Sequence, residues 1–151
     1  MSRSHAVSRS TEVDLTRTAE RQLRALRGRR LKAAVRFLEE LMAGGCAQAG
    51  YRLAGAGVLD HLCCRHLYGS DRAIVAWPSP DEAVVIAIGP HDQSVNDIYQ
   101  LILAALEIDM PEAERQKPPC CDDLDEPPAD PETAELIAAA IDALRRRSRR
   151  R

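Results

Sequence analysis

Between Tyr51 and Tyr99 the chain gathers side chains suited to handling a phosphodiester. Arg65 follows Cys63-Cys64 and precedes His66, and Arg72 follows Asp71 at the head of an apolar run, Ala73 to Trp77. A second apolar run, Ala83 to Ile88, ends in Gly89-Pro90-His91-Asp92. Strands that carry arginines and stop at a histidine suggest a small sheet presenting phosphate-binding and proton-transfer groups, a combination that points toward RNA chemistry. Cleavage of RNA through its 2′-hydroxyl makes three demands: the hydroxyl loses a proton, the pentavalent phosphate needs positive charge, and the 5′-oxygen gains a proton. Arg65 and Arg72 are the charge candidates, because a guanidinium fork donates two parallel hydrogen bonds to phosphate. His91 is the proton-transfer candidate, with Asp92 as a neighbour to orient it. Each has a plainer reading beside this one. Arg72 could pair with Asp71 or a backbone carbonyl, and His91 could be an exposed loop residue.

The elements that must position these residues follow from periodicity. Residues 1–10 read as a disordered arm. Thr11 to Thr16 fits a first strand. Arg17 to Leu26 is a helix with Ala19, Leu23 and Leu26 on one face, stopped by Gly28. A second helix runs from about Arg29 to Ala43, its Leu31, Ala34, Val35, Leu38, Leu41 and Met42 following the amphipathic spacing, with Gly44-Gly45 ending it. Tyr51 to Ala54 is a short strand broken by Gly55 and Gly57, and Leu59 to Leu67 is the next. Alternate strand residues share a face, so Arg65 goes with Cys63 and Leu67, and His66 with Cys64 and Tyr68. Placing Arg65 in an open groove therefore turns His66 inward. Arg72 to Trp77 and Glu82 to Ile88 complete the sheet, joined by a Pro78-Ser79-Pro80-Asp81 turn. Ser94 and Asp97 resemble a capping box for a helix that turns Ile98, Leu101, Ile102 and Ala105 inward. Residues 109–130, rich in proline and acid, read as a linker without a core. A last amphipathic helix over 131–151 starts with Asp130 as N-cap and Pro131 at its first position. Its stripe is Leu136, Ile137, Ala140, Ile141 and Leu144, and Arg145 to Arg147 sit at its negative end.

Length and charge set the bounds. At 151 residues the chain suits one domain with a real core, here residues 11–108, and aliphatics must fill it because only 3% of residues are aromatic. The net charge of −2 hides a split: Arg17 to Arg36 holds eight basic residues and one acid, Glu20. That basic helix face suits nucleic acid or an acidic partner, or is simply solvated. No apolar run reaches membrane-spanning length, and the polar start MSRSHAVSRS has no signal-peptide core. Five cysteines, two pairs of them adjacent, make a poor disulfide framework, so a reducing cytoplasm is expected and Cys63 and Cys64 read as buried free thiols. Zinc through His61, Cys63, Cys64 and His66 is disfavoured because strand alternation splits these side chains between two faces. No metal and no cofactor are expected.

The order strand, helix, helix, then a strand meander gives an α+β fold, an N-terminal strand and helical hairpin packed on a small, mostly antiparallel sheet of four to five strands, with C-terminal helices added. With TEVDLTRTAERQLRAL, LEELMAGGCAQAGYRLAG, CRHLYGSDRAIVAW and DEAVVIAIGPHD…DIY in that order, residues 11 to 100 resemble the RelE/ParE toxin superfamily of bacterial type II toxin–antitoxin systems. The resemblance implies a metal-independent endoribonuclease acting on mRNA at the ribosome and silenced by an antitoxin protein. ParE-type members share the fold and act on DNA gyrase, and an inactive interaction module of the same fold is the other alternative. Basic residues occupy the family positions matching Arg65 and Arg72, and an Arg or His occupies the corner matching His91. Tyr99 matches a late tyrosine that stacks on a base or assists proton transfer. The chain departs from strongly basic members in having only Lys32 and Lys117 as lysines and an acidic segment after the domain. The last helix is expected to fold back over the sheet or to dock on a partner.

Overall fold

The computed structural model describes residues 10–53, 57–92, 97–106, 118–122 and 124–149. The N-terminal arm, the break at Gly55, the capping role of Ser94, the acidic segment up to Lys117 and the side chains of Arg145 to Arg147 lie outside the described residues.

Strand β1 (Glu12–Leu15) leads directly into helix α1 (Arg17–Ala25). Thr16 makes the junction: its Oγ1 accepts from Ala19 N at 3.0 Å as N-cap and donates to the Ile86 carbonyl at 2.6 Å. Helix α2 (Gly28–Gly44) follows after two residues, and Gly45, at φ 61°, caps it in a backbone conformation that glycine reaches without strain. Gly28, expected to stop α1, instead opens α2.

Strands β2 (Tyr51–Arg52), β3 (Leu62–His66), β4 (Asp71–Ser79) and β5 (Glu82–Pro90) join β1 in a five-stranded sheet of order β1-β5-β4-β3-β2. β1 runs parallel to β5 and the other pairs are antiparallel, consistent with the mostly antiparallel sheet of four to five strands expected from the sequence. The strand expected from Leu59 begins only at Leu62, because Gly57–His61 forms a 3-10 turn.

Both faces of the sheet are covered. Phe37 and Leu41 of α2 pack with Val75, Trp77, Val85 and Ile88 on one face. On the other, helix α3 (Ile98–Leu106) sends Ile98 and Ile102, and helix α4 (Pro131–Arg149) sends Ile137 and Ile141, against Leu62, Ile74, Ala76 and Ile86. Each such fully buried isoleucine contributes about 1.5–3 kcal/mol of burial free energy. The last helix thus folds back over the sheet. Asp130 starts it as expected: its carboxylate accepts from the Thr133 hydroxyl at 2.6 Å and from Glu132 N at 3.2 Å, and the Thr133 bond holds its pKa below the usual carboxylate value.

The cysteines overturn the expectation drawn from them. Cys46 is bonded to Cys121 and Cys63 to Cys120, while Cys64 is free and buried. Alternation explains this: Cys63 points to the α2 face and meets Cys120, and Cys64 points to the α3 face. The argument for a reducing compartment loses its footing here. The same bonds draw residues 118–122, part of the expected coreless linker, onto the domain. Arg52 N donates to the Pro118 carbonyl at 2.8 Å, Cys120 N to that of Gly50 at 3.0 Å, and Cys120 is buried.

Candidate active site

β3 and β4 are joined by a tight turn in which Asp71 N donates to the Tyr68 carbonyl at 3.1 Å and Gly69 takes φ 62°. The register that follows sets His66 opposite Arg72, and Arg72 opposite Gly89 of β5. Tyr51 pairs with Cys64 on the other side of β3. In a sheet, directly paired residues share a face. Tyr51, Cys64, His66 and Arg72 therefore stand together on the α3 face, at the end of the sheet where β5 runs out into His91.

Helix α3 closes the cluster through its first residues. Asp97, 2% exposed, is its N-cap: Oδ1 accepts from Tyr99 N at 2.8 Å and, more weakly, from Gln100 N at 3.4 Å. Asp97 thus caps the helix itself. Its Oδ2 lies 2.9 Å from His91 Nδ1. A carboxylate only accepts, so the proton of this contact sits on Nδ1. His91 is 43% exposed and its backbone N donates to the Ser70 carbonyl at 2.9 Å, which holds it to the β3–β4 turn. The imidazole stands edge-on to the Tyr99 ring, centroids 4.4 Å apart.

Tyr99 hydroxyl lies 3.1 Å from that of Tyr51 and 2.9 Å from Cys64 Sγ, and Tyr51 hydroxyl lies 3.3 Å from His66 Nε2. A chain of polar groups therefore runs from His91 past Tyr99 and Tyr51 to His66. Burial pushes both phenol pKa values up, and the thiol of Cys64 adds to the effect on each. Both tyrosines are consequently neutral hydroxyls that donate hydrogen bonds, not phenolate bases. Arg72 is close enough for its charge to act on Tyr51. Its Nη1 donates to the carbonyls of Asp71 at 3.0 Å and Gly69 at 3.3 Å, as the plainer reading of this residue had it, and its Nε has no partner among the described residues. Asp71 itself pairs with Arg30 of α2, in two bonds of 2.8 Å.

Arg72, His91 and Tyr99 are thus brought to one end of one sheet face. Arg65 is not. It points to the α2 face, where Nη2 meets Glu40 at 2.6 Å, Nη1 meets the Gln48 carbonyl at 2.9 Å, and the guanidinium sits 5.3 Å from the Phe37 centroid. Alternation in β3 forces the exchange, since Arg65 and His66 cannot share a face. His66, Tyr51 and Asp97 were not among the catalytic candidates drawn from the sequence. The signal for His66 was present in its alternation with Cys64, and the signal for Asp97 in its place at a helix start. The carboxylate seen against His91 Nδ1 is that of Asp97, six residues on. Among the described residues no group of three or more His, Cys, Asp or Glu side chains converges as a metal site, and no helix is long and apolar enough to cross a membrane.

The fold and the cluster define an α+β domain with an imidazole–carboxylate pair, neutral phenols and an arginine at one sheet end. Among solved structures the chain is similar to the toxin–antitoxin complex RelBE2 from Mycobacterium tuberculosis, with a TM-score of 0.46 and 22% identity over 54% of this chain and 98% of that one. It is also similar to the archaeal RelE–RelB complex from Pyrococcus horikoshii, with a TM-score of 0.42 and 16% identity over 56% of this chain and 99% of that one. No protein-family model matches the sequence, and no curated protein does.

Proposed function

We propose that this protein is the toxin of a type II toxin–antitoxin pair and cleaves RNA through its 2′-hydroxyl. The observation that carries the chemistry is the His91–Asp97 pair standing beside Tyr99 on the sheet face that also holds Arg72. The resemblance of residues 11 to 100 to the RelE/ParE superfamily supplies the biological setting: an antitoxin protein as partner and mRNA on the ribosome as substrate.

On this reading His91 Nε2 takes the proton of the 2′-hydroxyl while Asp97 steadies the imidazolium that forms. The 2′-oxygen bonds to phosphorus and the bond from phosphorus to the 5′-oxygen breaks, leaving a 2′,3′-cyclic phosphate and a 5′-hydroxyl. Arg72 faces the charge that builds on the non-bridging oxygens. The leaving 5′-oxygen receives its proton from His66 in its protonated form or through the Tyr51 and Tyr99 hydroxyls. The protons lost and gained balance, and the reaction needs no oxidant and no cofactor.

Induced expression in a bacterial host of the wild type and of an Arg72→Ala, His91→Ala double mutant tests the reading, with mRNA integrity followed. Growth arrest with cut mRNA, relieved in the double mutant, is the expected result. Arrest with DNA damage and intact mRNA makes the protein a gyrase poison instead. Absence of arrest makes it an interaction module.

A further inference from the structure

A second polar surface lies on the opposite side of β3. Arg29, Lys32 and Arg36 of α2 line a groove of about 470 Å3 with Arg65, His66 and Tyr68 from β3 and the turn after it. The three α2 residues are three and four apart, so they stand in a row on one helix face, spanning about 10 Å along its axis. The one carboxylate in the groove, Glu40, is engaged by Arg65 at 2.6 Å and reaches Arg36 at 3.8 Å. Arg29 and Lys32 have no acidic partner among the described residues. Tyr68, 46% exposed, puts an aromatic ring beside this row.

We infer that this groove is a binding track for a single RNA strand, with Arg29 and Lys32 on its phosphates and Tyr68 stacked on a base. Three features favour a nucleic acid over an acidic peptide. The positive charge forms a row, which suits a polyanion of regular repeat better than an isolated carboxylate. An exposed tyrosine next to cations is the combination that holds unpaired bases. The groove is also continuous with the candidate active site, because β2 pairs only with Cys63 and Cys64 and leaves Arg65 and His66 at the edge of the sheet. His66 lines the groove and also meets Tyr51 of the cluster, so a strand lying along α2 passes round this edge to the reacting groups. The choice of RNA rests on the cleavage reading above, whereas the anionic character of the ligand rests on the groove alone.

The test uses the full chain and a short fluorescent oligoribonucleotide with 2′-O-methyl groups, which has no free 2′-hydroxyl and so binds without being cut. Anisotropy titrations at several salt concentrations compare the wild type with Arg29→Gln/Lys32→Gln and with Tyr68→Ala. The double variant binds about tenfold more weakly, and its slope of log affinity against log salt falls by about 1.4, the value for two phosphate contacts on a single strand. Tyr68→Ala binds at least about fivefold more weakly with an unchanged slope. Thermal melts close to that of the wild type confirm that these surface changes leave the fold intact. Equal affinity of wild type and both variants overturns the inference, as does tighter binding of polyglutamate than of the oligonucleotide. A strand that binds with these dependences, while an unmodified strand is not cut, upholds the groove and removes the cleavage reading alone.

Discussion

His91 Nδ1 and Asp97 Oδ2 stand 2.9 Å apart, and the other oxygen of the same carboxylate receives the amide of Tyr99 at the start of α3. One buried acid therefore orients the histidine and caps the helix that carries Tyr99. The pair predicts a separable pattern. On the proposed reading, His91→Ala is expected to lower the RNA-cleavage rate by about 10²–10⁴-fold, the usual contribution of a general base, and to change stability by less than about 0.5 kcal/mol because the ring is half exposed. Asp97→Asn keeps the cap, since asparagine caps as well as aspartate, yet loses the charge that steadies imidazolium. Its cleavage falls and its pH–rate profile shifts, while its melting temperature stays near that of the wild type. Cleavage rates against pH, beside thermal melts, check both.

The two arginines proposed from the sequence separate by face. Arg65→Ala removes bonds to Glu40 and Gln48 and a guanidinium over Phe37, and is expected to cost about 1–3 kcal/mol of stability. Arg72→Ala is expected, on the proposed reading, to lower cleavage by about 10²–10³-fold with a much smaller stability change. Measured at a temperature where both variants are folded, cleavage falls far more for Arg72→Ala.

Alkaline pH probes the phenol pair. Burial raises the pKa of Tyr51 and Tyr99 in the folded chain. Below about pH 10 both are protonated whether the chain is folded or not, and their contribution is fully present. Above that pH the unfolded chain loses its phenolic protons first, so stability falls as pH rises, by at most about 1.4 kcal/mol per pH unit for each tyrosine. Tyr99→Phe makes the decline shallower. Chemical denaturation between about pH 8 and pH 11 reads the difference.

The elements were largely legible because periodicity reports them directly. The helix stripes of α1 and α3, the Asp130-Pro131 start of α4 and the two apolar strands match the structure, whereas Val35 and Met42 of the expected α2 stripe and Leu136 of the α4 stripe are exposed and Phe37, outside the expected stripe, is buried. The unbroken apolar runs Ala73 to Trp77 and Ala83 to Ile88 also carried a signal that both sheet faces are covered, since a half-exposed strand would alternate. The site was legible in part. Arg72, His91 and Tyr99 lie together, but alternation alone does not say which face of β3 meets α2, and so Arg65 could not be placed. Tyr51 and Tyr99 meet across 48 positions and Tyr51 and His66 across 15, contacts that the packing of α3 and the strand register create and sequence spacing does not show. The disulfides were hidden because Cys120 and Cys121 lie in a segment read as a coreless linker, and only the fold brings them to Cys63 and Cys46.

Gly50 tests how closely the chain entering β2 sits on β3. It has φ 81°, and a Cβ there would stand 2.1 Å from the Cys64 carbonyl oxygen and 3.0 Å from Arg65 Cα. Both neighbours are backbone and cannot swing aside. Gly50→Ala is expected to destabilise the fold by about 2 kcal/mol or more, against less than about 1 kcal/mol for Gly69→Ala, where only the positive φ of 62° is strained and the space is open. Paired urea titrations give the comparison.

Both sulfur bridges reach from the first half of the molecule to Cys120 and Cys121. A protease that nicks the backbone anywhere between Cys64 and Pro119 therefore yields two polypeptides that still migrate as one species, and part only when a reductant is added. Electrophoresis of a nicked sample with and without dithiothreitol shows the difference, and two bands in both lanes would mean the bridges are open.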